Sequence, residues 1–434
     1  MHIPLRLPRL SSFLESYTCR VFLIFLIPYA LLVYFARLTC WRDPTSLFFR
    51  QNEAYEPSYS SLRAAQGMAL IEEANNVTKA PRFKASPNPT MCVGFASVAR
   101  DGVSYFESAV GSLLASLSPL ERADLFLILF IAHTDPVQHP AYSEPWLHGL
   151  ADKVLLYDEK DIDVDHIRSL ETAEAKALAL EKGLLDYTYL LKACTAVGAP
   201  YTVMLEDDII ALDGWYHRTK QALRAVEWQT VEKKGSKWLY LRLFHTENFL
   251  GWNSEEWSIY LFYSLLSAST ILLTTLCFRR YRPSSKPFLP RETVFVVSFI
   301  CTPLLIILFF AAGRVTMLPI PEGVHEMPKF GCCSQGFVFP QGRIMDLVSW
   351  YESKGIGYVD MLTEDYANQN GEIRWALIPS VLQHIGSKSS KTNSPVPHKG
   401  LRTIPEKLWN FGFEKNDVHA LRKEHEQQIR WGGS

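Results

Sequence analysis

Three stretches of the chain stay apolar for longer than a core element of a globular domain requires: Cys19–Leu38 (CRVFLIFLIPYALLVYFARL), Trp257–Phe278 and Thr293–Gly313. A helix crossing a bilayer needs roughly 20 mostly apolar residues. Each stretch also has long parts without a charge, so the pattern predicts three membrane spans. The apolar centre of the first, Val21–Ala36, is long for a cleaved leader and no small-residue cleavage pattern follows it. A retained signal anchor is expected there.

Outside these spans the periods are shorter. A polar, proline-dotted segment, Gln51–Pro89, reads as a stem with a short helix near Ser61–Ala74. Order then begins with MCVGFASVAR, a strand run from Met91 to Arg100, followed by YFESAVGSLLASL with apolar residues at helical spacing. ADLFLILFIAHTD and DKVLLYDE read as strands, Glu171–Val197 as a long helix interrupted at Gly183, and YTVMLEDD as a further strand. A helix (GWYHRTKQALRAVEW) and a strand (KWLYLRLF) precede the second span. Continuous apolar strands alternating with helices predict an α/β fold with a parallel-rich sheet covered on both faces. Ligands of such sheets bind at the carboxyl ends of the strands. That rule places Ser97–Arg100, His133–Asp135 and Glu206–Asp208 on one rim.

Charge orients the spans. The loop RRYRPSSKPFLPRE between the second and third holds Arg279, Arg280, Arg282, Lys286 and Arg291 against Glu292, and short basic loops stay cytosolic. The N-terminal end, mildly basic through Arg6, Arg9 and Arg20, fits the same side. The expected order is therefore tail 1–18, span 19–38, lumenal stem 39–90, first domain part 91–256, span 257–278, cytosolic loop 279–292, span 293–313 and second domain part 314–434. A sequon at Asn76 (NVT) agrees with a lumenal address. Cys92, Cys194, Cys332 and Cys333 fall in the lumenal segments and can pair in three ways, between which the sequence does not choose. A net charge of −1 gives no sign of a nucleic-acid partner.

Within YTVMLEDDIIAL, Glu206, Asp207 and Asp208 stand side by side between two apolar runs. Carboxylates so close repel unless a cation or hydrogen-bond donors sit among them. A hard divalent ion, Mn²⁺ or Mg²⁺, meets that need and keeps positions open for phosphate oxygens. The chemistry that suits is metal-assisted departure of a diphosphate.

An Asp-x-Asp-like strand end in a lumenal α/β domain behind a signal anchor resembles a nucleotide-sugar-dependent glycosyltransferase of the GT-A fold. The resemblance is closest to the Golgi family that adds an N-acetylgalactosamine side branch to glycosylphosphatidylinositol (GPI) anchors, whose GT-A domain is interrupted by a two-helix membrane hairpin. VGFASVAR, IAHTD, LLDYTYLLKAC, LEDDI, the hairpin Trp257–Gly313, GCCSQGFVFP and PSVLQHIGSKSS carry it, from about Met91 to Ser390. The same motifs also resemble the N-glycan-branching N-acetylglucosaminyltransferases, which lack the hairpin.

The resemblance implies a UDP-GalNAc donor and a GPI-glycan acceptor on proteins. It implies that Asp208 binds the metal, with Glu206 and Asp207 at the ribose or helping to hold the ion. Ser97–Arg100 border the nucleotide, Lys182 reaches a phosphate, and His384 meets metal or diphosphate. Ser334, Gln335 and Gly336 lie near the donor sugar. Inversion at the anomeric carbon requires a base to take the acceptor proton, and YVDMLTEDYANQNG, read as a helix start, offers Asp360 first, Glu364 second, and Asp365. Two other readings stand beside this one: a Golgi transferase using UDP-galactose or UDP-GlcNAc on N-glycans or glycolipids, and a lumenal binding or sorting protein with a degenerate transferase fold.

Overall fold

The computed structural model describes residues 17–76, 84–100, 102–172, 176–233, 237–327, 331, 333–386 and 408–431. They fall into two compact units: the described residues within 1–56 and 247–320, and those within 57–246 and 321–434.

The first unit holds three helices long and apolar enough to cross a membrane: Tyr17–Thr39, Trp257–Tyr281 and Arg291–Ala312. They contain the three stretches expected from the sequence, apart from a terminal residue or two. The third passes through a π-helical stretch at Val297–Cys301. Thr18 and Thr293 hydroxyls are 2.9 Å apart, and Ala36, Cys40 and Ala312 form a small buried cluster. Past the third helix, Asp43 Oδ2 accepts from the Thr316 backbone N–H at 2.7 Å and its hydroxyl at 2.8 Å. Trp252 Nε1 donates to the Phe310 carbonyl at 3.0 Å.

In the second unit the strands are β1 (Met91–Ser97), β2 (Leu125–Ile131), β3 (Lys153–Leu155), β4 (Tyr201–Glu206), β5 (Ile209–Ala211), β6 (Trp238–Arg242), β7 (Gly323–Glu326), β8 (Gly336–Pro340), β9 (Ile373–Ile378) and β10 (Leu382–His384). The helices used below are α1 (Tyr59–Asn75), α2 (Phe106–Leu114), α3 (Pro119–Ala123), α4 (Lys176–Thr195), α5 (Trp215–Glu232), α6 (Gln341–Lys354), α7 (Val359–Asn370) and α8 (Val418–Trp431).

Eight strands form one mixed sheet in the order β3-β2-β1-β4-β8-β6-β9-β7, and β5 pairs with β10 apart from it. The half from β3 to β4 is parallel throughout, while β8 runs antiparallel to both β4 and β6. Alternation along the apolar runs explains the layers. Met91, Val93 and Phe95 of β1, with Leu125, Leu127, Leu129 and Ile131 of β2, enter one buried cluster; Cys92, Ile128 and Phe130 enter the other. A strand buried on both faces has no polar side.

Three details differ from the sequence reading. Helix α4 runs through Gly183 without a break, because its neighbours Leu184, Leu190 and Leu191 bury against the sheet; packing offsets the roughly 1 kcal/mol helix penalty of glycine. Strand β4 ends at Glu206, before the two aspartates. The segment expected as a stem contains α1, which belongs to the folded unit. Its Arg63 is 2% exposed, donating through Nε to the Ala211 carbonyl at 3.0 Å and through Nη2 to the Ser112 carbonyl at 2.6 Å.

Cys92 on β1 and Cys194 on α4 are buried thiols whose sulfurs lie 2.6 Å apart, and Cys333 is disulfide-bonded. Cys332 lies outside the described residues.

Candidate active site

Strand register assembles the rim. Ser97 of β1 pairs with Ile131 of β2, and Ala96 with Glu206 of β4, so the three parallel strands end level with one another. The chain after β1 then folds over the end of β4. Ser97 Oγ donates to Asp207 Oδ2 at 2.6 Å and lies 3.0 Å from His139 Nε2. Arg100 donates from Nη1 to Asp207 Oδ2 at 2.7 Å and from Nη2 to Oδ1 at 2.6 Å. His133 Nε2 accepts the Ala99 backbone N–H at 2.8 Å, fixing the turn between them. Burial, with His133 and Arg100 nearby, pulls His139 down to about 4, so it is neutral at physiological pH. Ser97, Val98, Arg100, Ser104, His139 and Pro140 help line a cavity of about 260 Å³ beside this turn.

The three adjacent acids have three environments. Glu206 accepts from Ser334 Oγ at 2.5 Å and from Gln335 Nε2 at 3.2 Å, which ties β4 to the segment entering β8. Asp207, 3% exposed, gives both oxygens to Arg100 and Ser97 and therefore faces protein. Asp208 faces β10: its Oδ2 is 3.5 Å from His384 Nε2 and 3.8 Å from Arg100 Nη2. The β5–β10 pairing brings them together, with His384 opposite Ile209 and the Ile385 N–H bonded to the Asp208 carbonyl at 2.9 Å. Burial opposes charge on both groups. His384 and Arg100 nevertheless hold Asp208 below its ordinary value, and Asp208 raises His384. Gly386 packs so closely that a Cβ there would lie 2.2 Å from Asp208 Oδ2.

Two atoms of this pair decide whether an ion fits. Asp208 Oδ1 and His384 Nδ1 are buried without a hydrogen-bond partner. A buried carboxylate oxygen left unpaired is costly, and one carboxylate plus one imidazole is a donor set suited to a divalent cation. The residues fit a metal.

The stretch around Asp360 is also resolved. Asp360, half-buried at the start of α7, accepts the Cys333 backbone N–H at Oδ2 (3.1 Å) and the Met361 N–H at Oδ1 (2.9 Å). Glu364, one turn on, is 3% exposed and paired with Arg242 at 3.1 Å and Arg374 at 2.9 Å; it also accepts from the Tyr240 hydroxyl. Arg242 in turn donates to the Cys333 carbonyl. The Cys333 peptide, at φ 87°, is thus held from its N–H by Asp360 and from its carbonyl by Arg242. Gly336 touches Leu382, whose Cδ1 would be 2.4 Å from an added Cβ, and Gln335 is buried. Lys182 is tied to Asp186 (2.9 Å), the Ala132 carbonyl (2.8 Å) and Tyr157 (3.1 Å).

Three contributors escaped the sequence reading. Arg242 left a trace, as the lone charge within WLYLRLF. His139 and Gly386 left none, since their roles depend on strand pairing and loop return.

The sheet gathers carboxylates at the ends of its parallel strands, and the family match and relatives place the chain among the glycosyltransferases. Residues 91–383 match the family described as GPI-N-acetylgalactosamine transferase PGAP4, and the chain belongs to that family. It is also similar to curated relatives. It is 27% identical over 163 residues to alpha-1,3-mannosyl-glycoprotein 4-beta-N-acetylglucosaminyltransferase B of Danio rerio, and 29% identical over 155 residues to the Mus musculus protein so described. Each match covers 33% of this chain and 28% of the relative. The alpha-1,6-mannosyl-glycoprotein 4-beta-N-acetylglucosaminyltransferase of Gallus gallus is 23% identical over 214 residues, covering 44% of this chain and 45% of that protein. The chain therefore matches less than half the length of these relatives.

Proposed function

We propose that the protein transfers N-acetylgalactosamine from UDP-GalNAc to the mannose core of GPI anchors, with inversion, at the lumenal face of the Golgi membrane. Its catalytic domain, the unit of residues 57–246 and 321–434, is of the GT-A type and is interrupted by a transmembrane hairpin. The observation that carries the chemistry is the buried pair Asp208–His384, each with an atom left unpaired beside the ends of β1 and β4. Family membership directs it to the GPI glycan and to GalNAc.

Asp208 and His384 hold Mn²⁺ or Mg²⁺ in this reading. When bound, the cation neutralises charge on the departing diphosphate. The chain's own groups do the rest. Arg100, fixed by Asp207, and the turn from Ser97 border the nucleotide. Glu206, Ser334, Gln335 and Gly336 shape the sugar side. Asp360 accepts the acceptor hydroxyl proton: it is half-buried, and the backbone N–H groups of Cys333 and Met361 fix its carboxylate in place. Glu364, engaged by two guanidiniums, braces the Cys333 turn and leaves Asp360 as the base.

Exposed Asn76 supports a lumenal address, since a sequon is read only there. In this reading the apolar helices flanking the basic loop hold the transferase in the membrane that carries its lipid-linked acceptor, which reduces the orientational freedom lost on binding.

The test is transfer by the purified full-length protein from a panel of nucleotide sugars to a GPI-glycan acceptor, with manganese or with chelator. GalNAc transfer lost on chelation and in Asp208→Ala is expected. Transfer of another sugar to an N-glycan, or undiminished activity of the variant, would overturn the donor and metal assignments respectively.

A further inference from the structure

Away from the acidic triplet, three helices converge on two buried histidines. His425 of α8 is 0% exposed; its Nδ1 lies 2.6 Å from Asp213 Oδ1, and its Nε2 lies 2.9 and 3.0 Å from the two oxygens of Glu121 in α3. His217, in the first turn of α5, lies beside it with ring centroids 5.2 Å apart. Its Nε2 is 3.0 Å from Glu424 Oε1, and its Nδ1 is buried without a hydrogen-bond partner. Glu121, His217 and His425 each offer a donor atom, and these atoms lie within 4.8 Å of one another.

Two features exceed what an ion-pair cluster requires. Each histidine has one nitrogen on a carboxylate outside the trio, Asp213 for His425 and Glu424 for His217. Such carboxylate–histidine contacts fix the ring and raise the basicity of metal ligands. The His217 ring is also accommodated by the backbone: at Gly214, φ 83°, a Cβ would meet its Cε1 at 2.4 Å, so glycine alone lets the imidazole lie there.

We propose that Glu121, His217 and His425 form a second, structural cation site, of a class suited to zinc, that fastens helix α8 to α3 and α5. The site uses none of the groups assigned to the transferase centre. A separation of 2.9–3.0 Å between His425 Nε2 and the Glu121 oxygens is compatible with two ligands on one ion, each about 2.0–2.2 Å from it. Glu121 is positioned by its capping box, in which the Ser118 N–H donates to Oε2 at 2.9 Å. His217 Nδ1, buried without a hydrogen-bond partner, is the nitrogen left to face the ion. A ligand nitrogen carries no proton, so coordination at His425 Nε2 replaces any Nε2–H bond with an Nε2–metal bond and releases that proton to solvent.

The experiment uses full-length Asp208→Ala protein in detergent, which lacks the transferase metal ligand, equilibrated with zinc and then dialysed. Elemental analysis is expected to find about one zinc per chain, and zinc-edge absorption to report two imidazoles with oxygen ligands. Adding His217→Gln, or separately Glu121→Gln, should lower the retained zinc by about tenfold or more, at least the loss in metal affinity that even an outer-shell change brings. Glu121→Gln keeps the shape of the capping side chain and guards against loss of fold as the cause. Only trace zinc in the Asp208→Ala protein, or zinc retained in both added variants, would overturn the site and leave His425 as an imidazolium between two carboxylates.

Discussion

Arg100 grips Asp207 with two parallel hydrogen bonds of 2.6 and 2.7 Å, while its 3.8 Å approach to Asp208 is only an edge contact. The adjacent aspartates therefore differ in kind. Asp207→Asn leaves a buried guanidinium short of its partner, a loss of about 3–5 kcal/mol and on the order of 10 °C in thermal midpoint. Asp208→Asn should lower the midpoint less than Asp207→Asn and remove transfer. Thermal unfolding and transfer assays on both variants check this; equal destabilisation would refute the division of roles.

Asp360 and Glu364 separate along a similar line. Asp360→Asn is expected to lower kcat by about 10²–10⁴ while donor KM and unfolding midpoint stay near those of the parent. Glu364→Gln weakens pairs with Arg242 and Arg374 and should appear first as a lower midpoint. Wild-type turnover by Asp360→Asn would remove it from proton transfer.

Gly386→Ala tests the fit around Asp208. The new methyl would stand 2.2 Å from Oδ2 and must push the carboxylate aside. Activity should fall by about tenfold or more, the effect of roughly 1.4 kcal/mol on the barrier, and the apparent manganese requirement should rise. Unchanged manganese dependence would show that Asp208 need not occupy this position.

Asp124, at the end of α3, provides a pH dependence that uses none of the proposed metal ligands. It accepts from the Thr90 N–H at 2.9 Å, the Thr90 hydroxyl at 2.6 Å and Lys220 Nζ at 2.7 Å. Burial raises its pKa, but Lys220, Thr90 and Tyr216 outweigh burial and hold it below the ordinary carboxylate value. Its stabilisation is present above the unfolded value, about 3.9, and is lost as pH falls through the lower folded one. Asp124→Asn should cost about 1 kcal/mol at pH 7, with the difference from the parent shrinking toward pH 3. A difference independent of pH would count against it.

Much of this molecule is legible in its sequence. The three long apolar runs became three helices able to span a membrane, because a segment that apolar has few other stable fates. The runs MCVGFAS and LFLILFI became parallel central strands, since burial on both faces leaves no polar alternation to disguise them. The acidic triplet was conspicuous because charges are expensive inside such runs.

Local pattern did not reveal how the triplet is divided. Whether an aspartate meets Arg100 or His384 depends on the β5–β10 pairing and on the turn after β1, contacts between residues more than a hundred positions apart. Likewise, Glu364 read as the second candidate base until Arg242, from a strand more than a hundred residues away, and Arg374, from the strand that follows its own helix, enclosed it. Sequence determined which segments must be buried and where charge would concentrate, because those follow from the transfer energies of neighbouring residues. Only tertiary structure decided which carboxylate is neutralised by protein and which is left for a cation, because that choice belongs to partners brought together by the chain's return.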